Sequence, residues 1–164
     1  MSERNRLCMH VTGGCQCGAV RYHASAMADT AHICHCRMCQ KAVGNLFATL
    51  VATPRDALVW TRGTPAVFKS SDHVARGFCA ACGTPLFYDY QEGERVYLTI
   101  GSLDDPNQFP PHEQFGIEAR AGWFGVVSSL PDAGVTETTM AKQAPAIKAS
   151  NRQHPDRDTS DWPM

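Results

Sequence analysis

A chain of 164 residues with 43% hydrophobic and 9% aromatic residues has the size and composition of one globular domain, long enough to bury a core without covalent staples. Its formal net charge of -1 gives no broad field for attracting nucleic acid, so an anionic partner has to be caught locally. Residues 1–10 hold two arginines with no apolar run behind them, unlike a secretory signal, and no apolar stretch nears the roughly 18 residues of a membrane span. The expectation is a cytoplasmic protein that enters no membrane and binds no nucleic acid.

Short runs rich in β-branched and aromatic residues predict strands over residues 20–23, 46–53, 57–61, 66–69, 85–90, 95–100 and 114–118. Turn sequences divide them, among them Arg62-Gly63-Thr64-Pro65, Gln91-Glu92-Gly93-Glu94 and Asp104-Asp105-Pro106-Asn107, whose Gly, Pro, Asp and Asn favour tight reversals. Two short helical turns are expected, one over 36–43 capped by Gly44 and one after Ser102. The predicted fold class is mainly β and mostly antiparallel. Beyond Leu130-Pro131 the composition turns to Thr, Ala, Asp, Lys and Pro, with Trp162 as the last aromatic. This divides the chain into an N-terminal extension (1–10), one domain (11–130) and a flexible tail (131–164), with docking of Trp162 on a partner subunit as the sharper alternative.

Eight cysteines in a reducing compartment are better suited to metal ligation or redox chemistry than to disulfides. Cys15-Gln16-Cys17-Gly18 and Cys79-Ala80-Ala81-Cys82-Gly83 are chelating turns, each followed by a glycine able to take φ > 0 while backbone N–H groups turn toward sulfur. Together they offer four thiolates, a closed tetrahedral Zn²⁺ site of the structural kind that would tie two distant parts of the chain together. Cys34-His35-Cys36-Arg37-Met38-Cys39 places three sulfurs in one loop with no fourth cysteine nearby. Three protein ligands and one open position is the arrangement of catalytic zinc; His32 or His35 offers an alternative fourth ligand, and sulfur ligation admits iron as well as zinc. Cys8 is left over and reads as a free thiol without a role.

Four ordered motifs carry a resemblance: Gly14-Cys-Gln-Cys-Gly-Ala-Val-Arg-Tyr22, Cys34-His-Cys-Arg-Met-Cys-Gln-Lys-Ala-Val-Gly44, Phe78-Cys-Ala-Ala-Cys-Gly-Thr-Pro-Leu-Phe87 and Ile100-Gly-Ser-Leu-Asp-Asp-Pro106. Through them the chain strongly resembles, from about residue 11 to 123, the glutathione-dependent formaldehyde-activating enzyme family, which includes centromere protein V. The resemblance implies a zinc-binding antiparallel β-fold similar to B-type methionine sulfoxide reductases, with two Zn²⁺ per chain. It implies a structural site at Cys15, Cys17, Cys79 and Cys82, and a catalytic metal at Cys34, Cys36 and Cys39. The implied activity is that of a carbon–sulfur lyase, with glutathione and formaldehyde combining to S-hydroxymethylglutathione. Centromere protein V is a binding protein, but no basic extension here favours nucleic acid or microtubules.

An open metal position binds and deprotonates a thiol and presents it to an aldehyde carbon. A four-sulfur metal is a poor Lewis acid, so polarising the aldehyde needs a separate donor, and His35 is nearest in sequence. Arg37, Lys41 and Arg76 are candidates for the two carboxylates of glutathione, or for offsetting thiolate charge. Asp104 and Asp105 are expected to shape a turn or cap a helix. Two alternatives stand beside the lyase: a zinc enzyme for another thiol or electrophile, and a non-catalytic zinc-stabilised binding module.

Overall fold

The computed structural model describes residues 6–7 and 9–161; Cys8 and Trp162, with the expectations attached to them, lie outside. Twelve strands occur among the described residues: β1 (Arg6–Leu7), β2 (Val11–Gly14), β3 (Arg21–Ala24), β4 (Met27–Ala28), β5 (His32–Cys34), β6 (Ala48–Pro54), β7 (Leu58–Arg62), β8 (Ala66–Lys69), β9 (Val74–Phe78), β10 (Pro85–Tyr90), β11 (Arg95–Thr99) and β12 (Glu113–Phe115). The helices are short: α1 (Arg37–Val43), α2 (Thr136–Thr139) and α3 (Ala144–Ala149), with 3₁₀ turns such as Ile100–Ser102 and Pro106–Gln108. The protein is mainly β, as predicted, and each predicted strand has a counterpart.

Seven strands form one sheet in the order β12-β5-β6-β11-β10-β9-β8, and β2, β3 and β7 form another. Pairing is antiparallel except where β12 runs parallel to β5. Because side chains alternate along a strand and register partners share a face, the large sheet separates two jobs. Arg76, Tyr88, Tyr97 and Ala52 are consecutive partners across it, and one step along β6 come Leu50 and His32, then Ala48 and Cys34. On the opposite face Phe87, Leu98 and Val51 are partners and join Tyr22, Met27 and Leu86 in the core. Leu98 and Val51 are completely buried, and truncating such a leucine to alanine costs about 2–5 kcal/mol. Tyr22 is buried too, and its hydroxyl meets the Ser102 hydroxyl at 2.8 Å.

The helix that carries the third loop cysteine starts and stops for local reasons. Cys36 occupies the N-cap, its sulfur accepting the Cys39 N–H at 3.4 Å in the role usually taken by a serine or aspartate oxygen. Gly44 closes the helix at φ +62, a left-handed cap that favours glycine.

The tail does not run free throughout. After α3 the chain returns, and the His154 N–H donates to the Gln16 carbonyl at 2.7 Å. Its ring, 3% exposed, lies against Gly18, where φ is +71 and an added Cβ would stand 2.3 Å from the imidazole. Arg21 reaches Asp158 at 2.8 Å, and Arg62 donates to the Thr159 carbonyl. The expectation of a flexible tail thus meets a segment fastened over the first cysteine turn, held by polar contacts that an apolar pattern does not announce.

Candidate functional site

Cys15, Cys17, Cys79 and Cys82 place their sulfurs within 4.8 Å of one another. The Cys15–Cys17 and Cys17–Cys79 separations are 3.6 and 3.8 Å. A tetrahedron with Zn–S bonds of about 2.3 Å has edges of about 3.8 Å, so this donor set fits a zinc ion, and the spacing is far too long for a disulfide of about 2 Å. The glycines after the two turns, Gly18 and Gly83, have φ of +71 and +78, the conformation their turns require. The Val20 N–H donates to the Cys15 sulfur at 3.3 Å, and the Thr84 hydroxyl lies 3.2 Å from the Cys82 sulfur.

Burial pushes the Cys15 thiol up to about 12, against the Val20 N–H, which lowers it. Cys82 goes the other way, to about 6: burial raises it, but hydrogen bonds from the Thr84 hydroxyl and backbone outweigh that. Thiols held high, such as Cys15, keep their protons until a cation displaces them, which is how metal binding becomes coupled to pH.

The second cluster is Cys34, Cys36 and Cys39, again within 4.8 Å, and no fourth protein ligand atom joins it among the described residues. Cys34 is at the end of β5, Cys36 is the α1 N-cap and Cys39 is in the first turn of α1. Burial pushes Cys34 up to about 12. Cys36 is lowered: burial opposes ionisation, but the Cys39 backbone N–H and neighbouring thiols overcome it, helped by the charge of Arg76. Three sulfurs with this backbone support also fit a zinc ion, and the fourth coordination position would be left to a ligand from outside.

That cluster opens into a cavity of about 660 Å³ whose walls include His32, Arg76, Tyr88, Arg95, Tyr97 and Phe115. A second cavity, of about 770 Å³, adjoins it across Met38, Leu50, Arg76 and Tyr88. Burial raises the Tyr88 hydroxyl, Arg76 lowers it, and the nearby Cys39 and Cys34 raise it further.

The cation candidates separate. Arg76, 7% exposed, lines both cavities; its Nη2 donates to the Cys39 sulfur at 3.5 Å and its Nε to the Ser70 hydroxyl at 3.2 Å. Arg37 and Lys41 line only the second cavity, with Arg37 bonded to Gln40 one helical turn on. Arg95, which no motif marked, lines the sulfur cavity because it shares a strand face with Tyr97.

His35 is a correction. It is completely buried, with Nε2 3.0 Å from the Gln114 side-chain oxygen and its ring edge-on to Phe47 and Phe124. Alternation in the extended Cys34-His35-Cys36 segment turns the middle side chain away from the sulfurs. It lines neither of these two cavities, so it cannot donate to an aldehyde there. His32 faces the cavity, but its Nδ1 is 2.8 Å from the Thr30 carbonyl and it is not one of the clustered ligands. Burial lowers its pKa.

Asp105 caps as expected, accepting the Asn107 N–H at 3.1 Å. Asp104 does more than shape a turn: it takes both Arg21 NH₂ groups and the Thr12 hydroxyl at side-chain exposures of 4% for Arg21 and 12% for Asp104. A buried bidentate pair between distant residues leaves no local signal in the sequence.

Comparison with known proteins places these features in a family. A family model described as glutathione-dependent formaldehyde-activating enzyme matches residues 10–118. A protein of Schizosaccharomyces pombe described as an uncharacterized lyase is 27% identical over 86 residues, which is 52% of this chain and 62% of that protein. The chain therefore spans less than two thirds of that relative. A crystal structure of a Rhodobacter sphaeroides protein superposes with a TM-score of 0.52 and 21% identity, covering 63% of this chain and 98% of the other, a likeness of fold.

Proposed function

The chain belongs to the glutathione-dependent formaldehyde-activating enzyme family, and we propose that it is a zinc-dependent carbon–sulfur lyase acting on a glutathione adduct such as S-hydroxymethylglutathione. The observation that carries the reading is the contrast between the two clusters: four sulfurs that complete a shell, and three that open onto a 660 Å³ cavity. In this reading Cys15, Cys17, Cys79 and Cys82 hold a structural zinc, and Cys34, Cys36 and Cys39 hold a second. Zinc bound at the second cluster supplies the positive charge that favours the thiolate form of a substrate thiol.

The chain's own residues do the rest. The cavity gives the adduct room beside the sulfurs, Arg76 balances thiolate charge beside Cys39, and Arg37 and Lys41 in the adjoining cavity receive carboxylates of the peptide. In the adduct-forming direction the thiolate sulfur adds to the aldehyde carbon, one S–C bond forms, and the oxygen gains a proton. The lyase direction reverses each change. Domain boundaries near 11 and 130 accompany this reading, since both clusters lie between them.

The test compares glutathione with its S-methyl analogue, which keeps both carboxylates but forms no thiolate. Calorimetry on the zinc-loaded protein should give binding at least about tenfold weaker for the analogue. Catalysis further requires adduct formation faster than the spontaneous combination of glutathione and formaldehyde, and dependent on Cys36. Failure of glutathione to bind at millimolar concentration would leave a zinc protein for another ligand.

A further inference from the structure

The adduct reaction has an unmet requirement. When a thiolate adds to an aldehyde, the C=O electron pair moves onto oxygen, and a hydrogen-bond donor aimed at that oxygen lowers the barrier. His35 is turned away, as described above. His32 faces the cavity, but a carbonyl only accepts, so the 2.8 Å approach to Thr30 places the imidazole proton on Nδ1. The Nε2 of the neutral ring then carries a lone pair and cannot donate. The Thr30 hydroxyl donates to the Ala28 carbonyl at 3.5 Å and accepts the Ala52 N–H at 3.0 Å. Arg76 commits Nε to Ser70 and Nη2 to Cys39, with Nη1 left over beside the Tyr88 ring on which the guanidinium stacks.

The chain has four tyrosines. Tyr22 is bonded to Ser102 and Tyr90 to Glu92 at 2.9 Å. Tyr88 and Tyr97 both line the sulfur cavity, and among the described residues neither hydroxyl has a hydrogen-bond partner. They are direct register partners on β10 and β11, their rings 5.9 Å apart and edge-on, and both pack against the group formed by Cys39, Ala48 and Leu50 with Cys34 and Cys36. Arg76 stacks on Tyr88, its Cζ 5.0 Å from the ring centroid, and the His32 ring meets Tyr97 at 5.7 Å. Two rings so held, on the face that carries Cys34, present unspent O–H groups to the space above the sulfurs. Arg95 stands one same-face position further along β11.

Resting on the adduct reaction proposed above, we infer that Tyr88 and Tyr97 are catalytic residues that donate hydrogen bonds to the aldehyde oxygen as it becomes the adduct hydroxyl. The sulfur's electron pair forms the S–C bond, the carbonyl π pair goes to oxygen, and the phenols hold that oxygen while it takes a proton from water. In reverse they hold the hydroxyl oxygen as its proton leaves and the S–C bond breaks. The neutral phenol is a hydrogen-bond donor, so each ring brings one O–H to the site. No oxidant or reductant is needed.

The experiment uses the zinc-loaded full chain and the variants Tyr88→Phe, Tyr97→Phe and the double variant, each of which keeps the ring packing and removes only the hydroxyl. Adduct formation is followed from glutathione and formaldehyde with the spontaneous rate subtracted, while zinc content and the glutathione dissociation constant are measured separately. The expected result is a double variant with full zinc, glutathione affinity within about twofold, and kcat reduced about a hundredfold or more, since one lost donor of this kind costs that much. Wild-type acceleration that persists in the double variant overturns the donor assignment and leaves the lyase reading standing. The assignment also falls if the variants lose zinc or glutathione in proportion to rate, because the hydroxyls would then be structural. A wild type that never exceeds the spontaneous rate overturns the lyase reading and this inference with it.

Discussion

The Nη2 of Arg76 donates to the Cys39 sulfur at 3.5 Å, which makes a buried guanidinium the outer partner of a three-sulfur site. Outer partners of metal ligands typically contribute 10–100-fold in affinity. Arg76→Met should therefore weaken zinc binding at the open cluster by about tenfold or more, with the closed cluster unchanged. Arg76→Lys should recover part of the loss, because it restores charge without the two-point bonding to Cys39 and Ser70. Chelator competition that resolves two zinc release steps would check both variants; equal weakening of the two steps would assign Arg76 to the fold instead.

The clusters should also differ as wholes. Cys79 is 1% exposed and belongs to the main core, whereas Cys36 is half-buried beside a cavity. Cys79→Ser should melt early or aggregate, while Cys36→Ser stays folded and loses one zinc and glutathione binding. Thermal melts paired with metal analysis would decide this, and mild chelation of the wild type should remove one of two zinc ions first.

The Arg21–Asp104 pair fixes a third expectation. Asp104→Ala leaves Arg21 buried with only the half-exposed Asp158, and should cost about 3 kcal/mol, against about 1 kcal/mol or less for Asp158→Ala. Burial raises the Asp104 carboxyl, but the Arg21 and Thr12 hydrogen bonds bring it below its ordinary 3.8. Between those values the unfolded chain binds more protons than the folded one. The contribution is therefore complete above the ordinary value and is lost as pH falls through the depressed one. Urea midpoints of wild type and Asp104→Ala should differ widely at neutral pH and draw together as pH falls through the depressed Asp104 value.

The fastened tail gives a fourth. Deleting the chain from residue 151 removes His154 from the Gln16–Gly18 turn, Asp158 from Arg21 and Thr159 from Arg62. Three lost polar contacts should cost about 1–3 kcal/mol. They should also speed zinc exchange at Cys15 and Cys17 more than at Cys34 and Cys36. A deletion that left both melting temperature and exchange unchanged would mean that the tail is a passenger.

Much of this site was legible from residue order, because chelating pairs are local: Cys15 with Cys17, Cys79 with Cys82, and the 34–39 loop each declare themselves by spacing. Five strands were missed: β1, β4 and β5 have only two or three residues each, too short for an alternating pattern, and the other two have residues that argue against a strand. Val11-Thr-Gly-Gly14 and Val74-Ala-Arg-Gly-Phe78 contain glycines that weaken β-propensity, and Gly77 is there because the Phe87 ring occupies the place of a side chain, 1.9 Å from an added Cβ. Tyr88, Tyr97 and Arg95 could not be read as site residues because cross-strand register, not sequence separation, brings them to Cys34. His35 misled for the same reason, being adjacent in the chain but on the opposite face.

The span of the closed cluster has a consequence for how the protein is made. Cys17 and Cys79 meet across 62 positions, while Cys34, Cys36 and Cys39 are gathered by a single loop. As the chain leaves the ribosome, the loop can gather its sulfurs once it emerges, but the four-sulfur shell cannot close until Cys82 has followed. A chain interrupted before that point holds the three-sulfur loop without the clasp, so closure of the four-sulfur shell marks a molecule in which Cys82 has emerged and met the first cysteine turn.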